Sequence, residues 1–218
     1  TVTDILGTAG AATNKLTFQG ATQGVAGSML KNSIPLKTWQ EWNDTLPGFL
    51  EIDLVGHEGG DNNGAFHYSL NATDIATGWT ETCTVRSKGE RIVAAGLDQL
   101  IGRFPFLILG IHSDNGSEFI NHDLITWAGD RKIFFTRSRP YKKNDQATIE
   151  SKNNHLVRRY GFHHRYDTPA ELELLNQLWP LVCDRLNYLT PTKKPSGWST
   201  DTVGRRKRLY DTPRTPYQ

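Results

Sequence analysis

Cysteine and methionine are nearly absent from this chain: Cys83, Cys183 and Met29 are the only ones in 218 residues. Two lone thiols far apart in sequence exclude a disulfide scaffold and suit a reducing compartment. His163 and His164 with Cys183 do not make a zinc pattern either. No apolar run approaches the ~20 residues of a membrane span, and no charged segment followed by an apolar one marks a signal peptide. The first residue is Thr1, so a processed chain or a fragment is expected. Lys and Arg are missing from Pro47 to Thr82, a stretch that holds Glu51, Asp53, Glu58, Asp61, Asp74 and Glu81.

The net charge of +2 therefore hides a strong segregation. From Arg131 to Arg165 there are ten basic residues, opposed only by Asp145 and Glu150. The tail adds Lys193, Lys194, Arg205, Arg206, Lys207, Arg208 and Arg214. Acid in one place with base flanking it suits a polyanion held around cations, although a basic run alone is equally a solvated face.

Residues 1–46, rich in Thr, Gly, Ala and Gln at the start, read as a linker and lead-in arm. Alternation then predicts strands over 48–55, 65–73 and 79–86, joined by Gly/Asn and Asp/Gly turns. Helical spacing follows over 88–103, a strand over 106–112, a helix over 117–129 and a short strand over 133–136. A helix opens near Asn144 or Asp145, and Pro169 begins a long one to about Tyr188 that contains Pro180. The order βββαβαβαα predicts an antiparallel meander extended by parallel strands, a mixed sheet with helices on both faces. Residues 47–190 form the expected core and 191–218 a basic C-terminal extension.

Three acids stand out against this frame. Asp53 ends the run FLEIDLV, Asp114 follows a second apolar run in HSDNGSEF, and Glu150 lies in KKNDQATIESKN. If the first and fourth strands are adjacent and parallel, Asp53 and Asp114 meet at one sheet edge. The following helix buries Ile149, Leu156 and Tyr160 on one side and presents Glu150, Asn154 and Arg158 on another. Two strand-end aspartates and a helix-borne glutamate can hold a pair of divalent cations, an arrangement that cuts and joins phosphodiester bonds.

The segments FLEIDLVGH, IHSDNGSEFIN and RPYKKNDQATIESKN resemble the catalytic core of DDE transposases and retroviral-type integrases over about residues 47–165, and the tail resembles bacterial insertion-sequence transposases. The resemblance implies an RNase H-like fold with a five-stranded mixed sheet. It implies that Asp53, Asp114 and Glu150 form the catalytic, metal-binding triad, with Asn115 and Gly116 shaping the turn after the second aspartate. Two Mg²⁺ or Mn²⁺ ions would then serve cleavage and strand transfer. The implied partners are transposon ends and target duplex DNA, with a homo-oligomer assembled on them, no membrane, and a bacterial cytoplasmic setting on nucleoid DNA. Lys152 and Asn154 fall on the DNA side of the family's helix. Where retroviral enzymes place two lysines after the glutamate, this chain has Asn154 and Val157. Neither a His/Cys zinc domain nor a helix-turn-helix is found in these residues, so recognition of specific ends is expected outside this chain.

Phosphate contacts are expected from Lys142, Lys143, Lys152, Asn154, Arg158 and Arg159, and from Arg205, Arg206, Lys207 and Arg208 in the tail. Glu51, on the face of Asp53, reads as a supporting residue, Asp74 as a turn aspartate and His112 as a packed histidine. Two rival readings remain: a catalytically silent DNA-binding or assembly module of the same fold, and a nuclease that cuts without joining.

Overall fold

The computed structural model describes residues 32, 34–36, 45–138, 147–202 and 204–218. Three strands open the order: β1 (Phe49–Gly56), β2 (Tyr68–Asp74) and β3 (Thr80–Val85). Then come α1 (Glu90–Ile101), β4 (Gly110–Ser113), α2 (His122–Asp130) and β5 (Phe134–Arg137). A composite helix, α3, runs as α-helix over Ala147–Lys152, widens to a π-helix over Asn153–Arg158 and closes as α-helix over Arg159–Gly161. The long α4 spans Pro169–Leu189, and a hairpin of β6 (Pro195–Thr200) and β7 (Arg206–Tyr210) follows.

The first five strands form one mixed sheet in the order β3-β2-β1-β4-β5. β1 pairs antiparallel with β2 and parallel with β4, and β4 pairs parallel with β5. This is the expected RNase H-like arrangement. Alternation along central β1 sorts its side chains to two covered faces. Leu50 and Ile52 enter the main core with Leu70, Val93, Leu97 and Ile111. Val55 packs on the other face with Leu156, Val157, Leu175 and Trp179. Glu51 and Asp53 share that second face, the one covered by α3 and α4.

Several boundaries moved for physical reasons. The fourth strand, expected over 106–112, pairs only from Gly110, because its neighbour β1 begins at the facing Phe49. Leu107, without a strand beside it, is 77% exposed. The second strand begins at Tyr68 because it faces Gly56, the last residue of β1. The helix expected from Ser117 begins at His122, where Asn121 caps it by accepting from the Leu124 N–H at 2.7 Å. Thr168 and Glu171 form a reciprocal capping box that starts α4 where Pro169 predicted it, and Pro180 lies within that helix. Periodicity did not foresee the hairpin, which forms a separate two-stranded sheet. The helix start expected at Asn144 or Asp145 lies outside the described residues.

Helix α4 also closes the edge of the sheet. The Asn176 amide accepts from Thr84 N at 2.8 Å and donates to Thr84 O at 2.9 Å. Asn187 does the same for Thr80, at 2.9 Å in both directions. Two side chains thus bond β3 as a neighbouring strand would.

Candidate active site

The parallel register of β1 and β4 sets the site. Glu51 faces His112. The same offset continued two residues brings Asp114, just past the end of β4, beside Asp53. Asp114 is fixed by its own turn, where its Oδ1 accepts from Gly116 N at 2.8 Å. Asn115 braces this turn, donating to Ser138 O at 2.9 Å and accepting from Arg137 Nη1 at 3.2 Å.

Asp53 is held from two sides. Its Oδ1 accepts from Leu54 N at 2.8 Å and its Oδ2 from Asn153 Nδ2 at 2.6 Å. Asn153 Oδ1 accepts from Asn71 Nδ2 at 2.9 Å, and Asn71 Oδ1 accepts from Thr82 Oγ1 at 3.0 Å. A relay of polar side chains therefore runs across β3, β2 and α3 to the carboxylate. Burial pushes the Asp53 carboxyl up from 3.8 to about 6, and the negative charges of Asp114 and Glu118 push the same way.

Glu51 supplies the support expected of it. It is buried, and its Oε2 accepts from Ile149 N at 2.9 Å, anchoring the first turn of α3 to β1. Three successive residues on one face of β1 thus meet α3: Glu51 at Ile149, Asp53 at Asn153, and Val55 in the apolar cluster with Leu156 and Val157.

Glu150 follows fully buried Ile149 but is itself exposed. The carboxylates acting on Asp53 are Asp114 and Glu118. The described residues contain no group of three His, Cys, Asp or Glu side chains gathered to hold a metal ion. The β1–β4 register brings Asp53 and Asp114 together at one sheet edge. Ile149 and Leu156 are buried and Asn154 is exposed, as expected. Asn153, four residues after Ile149 and three before Leu156, lies on the side of the helix that packs on β1, and it is the side chain that meets Asp53.

The expected phosphate contacts divide. Lys142 and Lys143 lie outside the described residues. Lys152 is mostly buried on the side of the β2–β3 turn, where a methyl group added at Gly78 would sit 3.9 Å from its Nζ, and burial lowers its pKa. Arg158 is 3.8 Å from Glu58, and Arg159 is exposed, its guanidinium 5.9 Å from the centre of the Tyr160 ring. Arg205, Arg206, Lys207 and Arg208 are all exposed on the hairpin.

Asp74 and His112 have ordinary structural partners. Asp74 accepts from Gly48 N at 2.8 Å and from Thr77 N and Oγ1 at 2.7 Å, pinning the β2–β3 turn. His112 is buried, with Nδ1 2.9 Å from Thr136 Oγ1 and Nε2 3.1 Å from Ser138 Oγ. Sequence reasoning missed two neighbours of the site. Glu118 packs over Gly116, so that a Cβ there would lie 2.8 Å from its carboxylate oxygens; its position four residues after Asp114 was the available signal. Asn153 falls on the buried stripe of Ile149 and Leu156 at steps of four and three, and that spacing was the available signal.

The donor set around Asp53 and Asp114 is all oxygen and locally negative, which fits a hard divalent cation. Residues 46–143 match the family described as the integrase core domain. The chain is 39% identical over 167 residues to the uncharacterized protein y4rM of Sinorhizobium fredii, covering 77% of this chain and 48% of that protein. It thus spans about half the length of this curated relative. The crystal structure of the catalytic core domain of BIV integrase aligns with a TM-score of 0.49 and 22% identity, over 65% of this chain and 84% of that one. No helix among the described residues is long and apolar enough to cross a membrane. The family match and the sheet order agree with the resemblance in the sequence: residues 46–143 match an integrase core domain and build a five-stranded sheet of RNase H-like order.

Proposed function

We propose that this chain is the catalytic core of a DNA transposase or integrase that cleaves DNA ends and transfers them to a target duplex. The observation that carries this reading is the convergence of Asp53 and Asp114 through the β1–β4 register, with ionisation of Asp53 opposed by burial and by like charge. Such a pair gains most from a cation. Asp53, Asp114 and Glu150 would hold Mg²⁺ or Mn²⁺, two ions per site, supplying a polarised phosphate and an activated water or 3′-hydroxyl. The chain's own part is to position. Glu51 fixes the helix that bears Glu150, the Asn71–Asn153 relay aims Asp53, and the turn at Asn115 and Gly116 aims Asp114. The partners are transposon ends and target DNA in the bacterial cytoplasm, with a homo-oligomer assembled on them.

A second reading has one observation in its favour: Glu118 packs over Gly116 in the turn after Asp114, and its charge is among those that raise the Asp53 carboxyl. In that reading Glu118 completes the carboxylate set. Cleavage and joining of a labelled duplex end in Mg²⁺ and in Mn²⁺ separate the two. The first reading expects Asp53→Asn, Asp114→Asn and Glu150→Gln to lose both steps with folding intact, and Glu118→Gln to stay active. An active Glu150→Gln with an inactive Glu118→Gln replaces the first reading by the second. A wild-type chain that binds DNA but cuts none is a silent assembly module, and one that cuts without joining is a nuclease.

A further inference from the structure

The tail's basic run is sorted by the hairpin that contains it. Trp198 pairs with Arg208 and Thr200 with Arg206 across β6 and β7. Paired residues share a face and neighbours along a strand do not. Arg206 and Arg208 therefore flank Trp198, while Lys207, paired with Ser199, lies on the opposite face. Arg205 is committed elsewhere: its Nε is 3.0 Å from Asp201 Oδ2, and its backbone N donates to Asp201 Oδ1 at 2.8 Å.

Trp198 is a large aromatic residue left 55% exposed. What it contacts is charge: the Arg206 and Arg208 guanidiniums lie 5.0 and 5.5 Å from its ring centre. An indole favours cations over its face and limits the freedom of their side chains. A guanidinium held this way keeps its planar fork of N–H donors for a phosphate.

The base of the hairpin is tied down. Lys194 N donates to Asp211 Oδ1 at 2.6 Å, Asp211 N donates to Lys194 O at 3.0 Å, and Thr192 bridges to Arg214. The Lys194 ammonium donates to the carbonyls of Ile75 and Ala76 in the β2–β3 turn. The charged face thus has a set orientation on the core, and every residue of β7 is exposed.

We propose that the β6–β7 hairpin is a clamp for the phosphate backbone of duplex DNA, in which Trp198 pre-orients Arg206 and Arg208 while Arg205 and Lys207 contribute little. The proposal rests on the DNA-acting reading above, and charge complementarity selects the occupant. Trp198 is a positioning residue in this scheme. A reading based on charge alone treats the four cations as equals; the structure does not.

The test is duplex binding by the full chain across a range of salt, comparing two double variants that remove equal charge. Loss of two phosphate contacts lowers the slope of log affinity against log salt by about 2, and weakens binding at 0.1 M salt on the order of 50-fold. That is the expectation for Arg206→Ala with Arg208→Ala. Arg205→Ala with Lys207→Ala should leave slope and affinity close to wild type. Trp198→Ala should follow the first pair, and Trp198→Tyr, which keeps an aromatic face, should restore binding. Equal weakening by the two double variants, no weakening by either, or an inert Trp198→Ala overturns the clamp while DNA binding stands. A wild-type chain that binds no duplex overturns the DNA-acting reading with it.

Discussion

Replacing Asp53 by Asn should stabilise the metal-free protein at alkaline pH. The folded state raises the Asp53 carboxyl from 3.8 to about 6 and so holds its proton more tightly than the unfolded chain does. The stability this contributes is fully present below pH 3.8 and is lost as pH rises through about 6. At about 1.4 kcal/mol per tenfold change in proton affinity, the ionised side chain costs at most about 3 kcal/mol at pH 8. Asparagine removes that charge. It also gives up one acceptor, because Asp53 accepts from both Leu54 N and Asn153 Nδ2; that loss costs about 1 kcal/mol. With a discount for partial exposure, the net gain is about 1–2 kcal/mol, roughly 2–8 °C in melting temperature for a chain of this size.

The assay is melting of wild type and Asp53→Asn in chelator, from pH 3.5 to 8. The wild-type profile alone would mislead. Burial and the nearby Arg158 lower His57 from 6.5 to about 4, so its stability is present above pH 6.5 and lost as pH falls through about 4. The two residues oppose each other over nearly the same window, and only the difference between the proteins isolates Asp53. A difference independent of pH, or a variant less stable than wild type at pH 8, would refute the reasoning.

Other outcomes follow from the same contacts. Asn153→Ala removes a donor that favours ionised Asp53, so the pH midpoint of the wild-type/Asp53→Asn difference should move upward when both carry it; an unmoved midpoint removes Asn153 from the site. Glu51→Ala should cost about 1–3 kcal/mol in urea denaturation by leaving Ile149 N without its acceptor, whereas Glu51→Gln should recover most of it. His57→Gln should flatten the loss of stability between pH 6.5 and about 4, read by melting over that range. Asn176→Ala and Asn187→Ala should each destabilise by about 2–4 kcal/mol, because each uncovers one N–H and one C=O of β3.

The sheet was legible in the sequence because its strands alternate and its turns carry Gly, Asn and Asp. The boundaries that moved did so where pairing, rather than composition, ends a strand: Leu107 is as apolar as any core residue but has no neighbour to bond. Asp53 and Asp114 were legible because each closes an apolar run, and the parallel register does the rest. The helix face was not. The stripe through Ile149 and Leu156 reads in the sequence as packing alone, yet Asn153, four residues after Ile149 on that stripe, is the side chain that bonds Asp53. The hairpin was invisible to hydropathy because it covers no core. Its pattern is written in aromatic and basic residues, Trp198 against Arg206 and Arg208, and in the Asp201 turn that joins its strands.

The amides of Asn176 and Asn187 carry a consequence for assembly. A β-sheet with a bare edge invites a second copy to add a strand and a third to follow, which is the usual route from fold to fibre. On β3 the backbone groups of Thr80 and Thr84 are already spent on side chains of the chain's own helix. A neighbouring molecule cannot be read as a continuation of this sheet there without first displacing α4. At the far edge, the bridge between Leu36 and Arg137 occupies part of β5. Under the proposed function, copies gathered on DNA would meet through surfaces other than the β3 edge.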